Sequence, residues 1–164
     1  MTEELQQAIE SLRQITPKLN AATDKAARIV TEVDKLLGDE LSIGISAAEV
    51  FDSYNRRVLR DEEHSEKTVA VQDVSCLAYR RDAHGTFRLL VEICRMWPTG
   101  DGDEEEELLE EYPWASAPRK LKLQSFAVLP MLLKAIADEA AESVKAAEAA
   151  SDLVEQLTKA LPKK

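Results

Sequence analysis

Glycine is scarce in this chain. Five in 164 residues leave no GxGxxG, no GxxxxGK[ST] and no GxSxG, the motifs that cradle phosphate or expose a nucleophile. Mononucleotide-binding P-loops, dinucleotide folds and serine hydrolases of the usual type are thereby excluded. Cys76 and Cys94 are the only cysteines, too few for a disulfide framework and without metal-ligand spacing. Of the two histidines, His64 stands three after Asp61, the spacing of a carboxylate metal site. Such sites take two copies of that pair plus further glutamates on facing helices. His84 lies in a turn sequence, where a polar residue needs no function. No metal and no cofactor is expected.

No run of about 18 apolar residues exists, so no membrane span is expected. "MTEELQQAIE" opens polar and acidic rather than basic and then apolar, unlike a secretory leader. The expectation is a soluble, cytoplasmic protein. An excess of bases is missing too: 31 acids face 21 bases, which gives nucleic acid no electrostatic footprint.

That acidity is local. "DGDEEEELLEE", Asp101–Glu111, holds eight acids and no base, leaving 23 acids against 21 bases elsewhere. As a calcium loop it lacks the central glycine and the terminal bidentate glutamate. Two readings stand. One is a solvated acidic loop over 100–114, mobile at its start because so many carboxylates cannot be buried without cations. The other is a docking tract for a basic partner, made of Asp101, Asp103, Glu104, Glu105, Glu106 and Glu107 with the flanking Trp97 and Trp114, since tryptophan is enriched at binding hot spots.

The two ends of the chain carry the strongest pattern. Leu5, Ala8, Leu12, Ile15, Leu19, Ala22, Ala26, Ile29, Val33 and Leu36 are spaced by alternating threes and fours. This is a heptad seam on a helix over 1–38, kept in phase through Pro17 and stopped by Gly38. Leu129, Leu133, Ile136, Ala140, Ser143, Ala147, Ala150, Val154, Leu157 and Leu161 repeat it on a helix over 117–161, kinked at Pro130. Run antiparallel, the seams match Leu36 with Leu133, Ala22 with Ala147 and Ile15 with Val154, within one chain or between two.

Between them, 41–97 changes period to two. Val69–Tyr79 and Thr86–Trp97 read as strands joined at "RDAHGT". A four-residue loop, Asp82–Gly85, pairs Arg81 with Thr86. It sets Val74, Cys76 and Ala78 on one face with Phe87, Leu89, Val91 and Ile93, and Cys76 and Cys94 on opposite faces. Leu41–Leu59 reads as a third strand, because a lone hairpin is marginal, although Ser46 with Glu49 also fits a helical capping box. "RDEEHSEK" reads as a polar loop.

The fold expected is a single α+β domain: an antiparallel sheet of about three strands with long terminal helices packed antiparallel, coiled-coil-like. No catalytic constellation is evident, and function must be argued from a site. The leading expectation is a non-catalytic interaction or structural protein associating through its end helices as a homodimer. The alternatives are an acidic inhibitor, immunity- or antitoxin-like, docking a basic protein, and an enzyme using Tyr79, Arg88 and Glu92 on the sheet. Arg80, Arg81 and Arg88, with Arg119, Lys120 and Lys122, form two basic groups that either neutralise the acidic run or hold an anion.

Overall fold

The computed structural model describes residues 3–41, 43–62, 65–98 and 104–160, with backbone alone for 59–62, 65–67 and 155–160. The order is α1 (Glu3–Lys35), β1 (Ala47–Glu62), β2 (Ser65–Arg81), β3 (Phe87–Pro98), β4 (Glu104–Pro113), α2 (Arg119–Ser125) and α3 (Leu129–Ala160). The strands form one antiparallel meander, β1-β2-β3-β4. The fold is α+β, with four strands where three were expected.

The extra strand is the acidic segment. Glutamate is a poor strand former, but β3 offers an open edge. Glu104–Pro113 pairs with it, Glu107 opposite Arg95 and Glu105 opposite Trp97. The loop expected over 100–114 is therefore a strand from Glu104 onward, while Asp101 and Asp103 lie outside the described residues. The polar loop expected at 60–67 is also corrected. The β1–β2 ladder runs on until Glu62 faces Ser65, and His64 lies outside the described residues.

The β2–β3 register differs by one residue from that read in the sequence: Arg81 faces Phe87 and Cys76 faces Glu92. The turn explains it. Asp82 N–H donates to the Thr86 carbonyl at 2.9 Å, closing a three-residue loop. The Asp82 carboxylate accepts the His84 and Thr86 N–H groups, and Gly85 sits at φ 81°, the left-handed position such loops require. Hydrophobic alternation could not correct the error, because both faces of the central strands are apolar and buried: Leu77, Tyr79, Leu89 and Val91 on one, Ala78, Leu90 and Cys94 on the other. The two cysteines thus share a face.

All helices cover the first of those faces. Ala26, Val30 and Leu37 from the α1 end, Trp114 and Ala117 after β4, and Leu129, Leu132 and Ile136 of α3 close on Leu77, Tyr79, Leu89 and Val91. Each large side chain so buried contributes about 1.5–3 kcal/mol. Three polar groups inside are paired. Tyr79 O–H donates to the Ile43 carbonyl at 3.1 Å, the Asp34 carboxylate accepts Leu89 N–H at 2.6 Å, and Trp114 Nε1–H donates to Ser125 Oγ at 3.0 Å.

Helix boundaries depart from expectation where packing intervenes. Gly38 does not stop α1. The chain continues through one wide π-turn, Leu36–Glu40, closed by Leu41 N–H on the Leu36 carbonyl at 2.9 Å. A Cβ at Gly38 would lie 3.4 Å from the Phe87 carbonyl oxygen, an ordinary contact distance. The C-terminal helix is α2, a 3₁₀ turn at Phe126–Val128, then α3, with Pro130 in the first turn of α3, where its missing N–H costs nothing.

Candidate interaction surfaces

The second face of the sheet has no helix over it among the described residues. Its centre is nevertheless sealed, because the sheet curls. Ser46–Ala48 at the start of β1, Cys76 and Arg80 of β2, Glu92 of β3 and Glu106 of β4 line one cavity of about 260 Å³. Glu92, 1% exposed, accepts from Arg80 Nε and Nη2 as a bidentate pair. Burial pushes the Cys76 thiol up to about 11, with Glu92 and Glu106 adding to the shift. Cys94 is pushed to about 12 by burial and then by its hydrogen bond to the Glu106 carboxylate. Nucleophilic or metal-binding thiolates need the reverse shift, and both side chains are buried. Among the described residues no cluster of three or more His, Cys, Asp or Glu is arranged to hold a metal ion.

The catalytic trio conceivable from sequence is not assembled. Tyr79 is buried on the helix-covered face and Glu92 is locked to Arg80 on the other. Arg88 Nε lies 2.8 Å from the Asp82 carboxylate at the hairpin.

Beyond the helices, the covered face ends in a charged network that the sequence did not announce. Asp73 accepts from Arg95 Nε at 2.7 Å and Nη2 at 3.2 Å, and from Arg56 Nη1 at 3.3 Å. The Arg95 bonds hold its carboxyl below the usual carboxylate range. Arg95 stacks over Trp97 at 5.6 Å, and Trp97 Nε1–H donates to Glu107 at 3.0 Å. The one legible signal was the pairing of an isolated Asp with an Arg on the neighbouring strand, visible only in the true register.

Of the docking residues expected from sequence, Glu104–Glu107 and Trp97 come together along β3–β4. Trp114 does not join them: it is 3% exposed in the core, and its expected role beside the acidic run is corrected. Glu104–Glu110 are all exposed, so β4 is an edge strand with glutamates on both faces and no strand beyond it among the described residues. Charges on an edge discourage strand-to-strand aggregation, which is reason enough for such a sequence. The basic groups hold other partners. Arg81 lies over Phe87, Arg119 donates to Thr23 and Asn20 of α1, and Lys122 donates to the Ala115 carbonyl beside the Trp114 ring.

The end helices carry a run of exposed apolar side chains. α1 packs on β3 and α2, while α3 packs on β1 and β2. Ala26 and Val30 are the buried residues of α1 and Leu37 that of the π-turn after it, with Ile29 and Val33 partly covered and Leu36 exposed. Towards the N-terminus the α1 seam leaves the body: Leu5, Leu12, Ile15 and Leu19 are 39–63% exposed. On α3 the seam positions Ser143, Ala147 and Ala150 are exposed, as are Val144 and Leu153 beside them, at 56–57%. At about 1.5 Å per residue each projecting half is roughly 30 Å long. Among the described residues no helix is long and apolar enough to cross a membrane. Comparisons with protein-family models, with curated proteins and with solved structures found no match.

Proposed function

We propose that this chain is a non-catalytic interaction protein that associates with a second copy of itself through the projecting halves of α1 and α3, their seams paired antiparallel in the manner of a coiled coil. One observation carries the reading: the heptad seam that packs on the core at Ala26, Ile29 and Val33 continues outward as exposed Leu19, Ile15, Leu12 and Leu5. Most helical stability in proteins comes from packing an apolar face, and a seam of large apolar residues gains its stability from a partner. A cytoplasmic setting fits the two free thiols.

Sedimentation velocity across a concentration series is the test. The full chain should sediment as a dimer at micromolar concentration, and Leu12→Asp with Leu19→Asp should give a folded monomer. A wild-type chain that stays monomeric throughout removes the reading.

The open, glutamate-lined edge of β4 favours a second reading, an acidic inhibitor that docks a basic partner. An edge strand accepts an added strand through its backbone, and the glutamates would select for lysine and arginine. Binding of a lysine-rich extended peptide that weakens steeply with salt supports it, and indifference to such a peptide sinks it.

A further inference from the structure

We infer that the projecting α1 halves of the two copies pair with each other, antiparallel, about a twofold axis between Arg13 and Gln14; this rests on the self-association proposed above. The α3 halves enter the same dimer as proposed there. Spacing, side-chain size and the rows flanking the seam each point to this pairing.

Leu5, Ala8, Leu12, Ile15, Leu19 and Ala22 follow one another by three, four, three, four and three residues, and all are exposed. That series reads the same in both directions, so the projecting seam is its own antiparallel complement. Turned about its centre, it sets Leu5 against Ala22, Ala8 against Leu19 and Leu12 against Ile15 of the second copy. Each alanine then meets a leucine, and no layer is alanine on alanine. A parallel pair in register would set Ala8 on Ala8 and Leu5 on Leu5, with thin layers beside thick ones, which close packing disfavours.

The charged rows beside a seam set partner and orientation. On α1 one such row is Glu4, Ser11, Lys18 and Lys25, and the other is Ile9, Thr16 and Thr23. In the antiparallel pair the first row faces its own copy, so Glu4 of each chain lies beside Lys25 of the other. A parallel pair would turn that row towards Ile9, Thr16 and Thr23, where it finds no charge. The second copy's α3 offers none either: from Ser143 to Val154 its flanking rows are Val144 with Ser151 and Ala146 with Leu153. The other charges of this part of α1 do not compete. Glu3, Glu10 and Asp24 fall on the side of the helix opposite the seam, and Arg13 pairs with Glu10 at 3.7 Å.

Cysteine crosslinking of the full chain tests this, in a background of Cys76→Ala with Cys94→Ala. The chain carrying both Ala8→Cys and Leu19→Cys should oxidise to a reducible covalent dimer, as should a mixture of the two single variants. Neither single variant should crosslink alone. Ala8→Cys bonding to itself would show a parallel pair, and a dimer by sedimentation that forms none of these bonds would show α1 lying elsewhere. Either result overturns the inference while leaving self-association intact. A charge exchange reads the same pairing without touching the seam. Glu4→Lys and Lys25→Glu should each weaken the dimer about fivefold at low salt, and the chain carrying both should return to within about twofold of wild type. Single changes without effect, or losses that add in the double variant, overturn it as well. A monomeric wild type would instead remove the association itself.

Discussion

Arg95 grips Asp73 across the β2–β3 pair through two hydrogen bonds, 2.7 and 3.2 Å, while Arg56 reaches the same carboxylate from β1. One buried acid thus fastens three strands at the end of the sheet that the helices leave uncovered. Asp73→Ala strands Arg95 beside a buried space and should cost about 2–3 kcal/mol, less than for a fully buried pair because Arg56 and Arg95 stay partly hydrated. The carboxyl is depressed in the fold, so its contribution is complete above its ordinary value near 3.8 and is lost as pH falls through the lower folded value. Urea melts between pH 5 and 2 should show this acid loss in wild type and a smaller one in Asp73→Ala. Equal acid losses would mean the pair does not couple to folding.

The thiols make the opposite prediction. Burial raises the Cys76 and Cys94 thiols from an ordinary value of 9.0 to about 11 and about 12, so the unfolded chain ionises them first. Their stabilisation is full below pH 9 and declines as pH rises towards the folded values. Cys76→Ala with Cys94→Ala should flatten the stability profile between pH 9 and 11, at some cost in packing. Native protein at pH 7.5 should react with a thiol-disulfide reagent only as fast as it opens. Stoichiometric labelling within seconds would show a thiolate the structure does not contain.

The helices were legible in the sequence because a heptad repeat over 30 residues has one interpretation. The sheet was legible in kind but not in register. Alternation fixes a register only when one face is wet, and here Leu77 and Ala78, on opposite faces, are both fully buried. The curl of the sheet, which brings Glu106 of β4 to the same cavity as Ala47 and Ala48 of β1, has no local signature. β4 was missed because its glutamates oppose strand propensity, and a neighbouring edge with Arg95 and Trp97 overrode that preference. Trp114 was misplaced since proximity in sequence to the acidic run says nothing of its distance in space: the chain turns inward at Pro113, and the indole meets Ser125.

The exposed edge gives a prediction of its own. Replacing Glu104, Glu105 and Glu107 by Thr raises strand propensity and removes the repulsion that keeps β4 edges of different molecules apart. Light scattering should report slow association of the variant at concentrations where the parent stays clear, and high salt should move the parent in the same direction by screening. A variant as soluble as wild type would mean that the glutamates serve a partner instead.

The seams predict where protection from hydrogen exchange depends on concentration. Leu77, Tyr79, Leu89 and Val91 are sealed by the body of one chain, so their amides should exchange only on global unfolding, at the same rate in dilute and concentrated samples. Amides from Leu5 to Leu19 sit in a helix whose apolar side is open in the single chain, and a lone helix of this length frays within the first seconds. Mass action stabilises a structure by the logarithm of free partner concentration over Kd, and in a homodimer the free partner grows as the square root of the total, so protection there should grow about threefold for each tenfold rise in concentration above Kd. The amides of α3 from Val144 to Leu153 should follow the same curve, since both halves are covered in one event. Protection of α1 that ignores concentration, or that rises without α3, would require a cover other than a second copy of the chain.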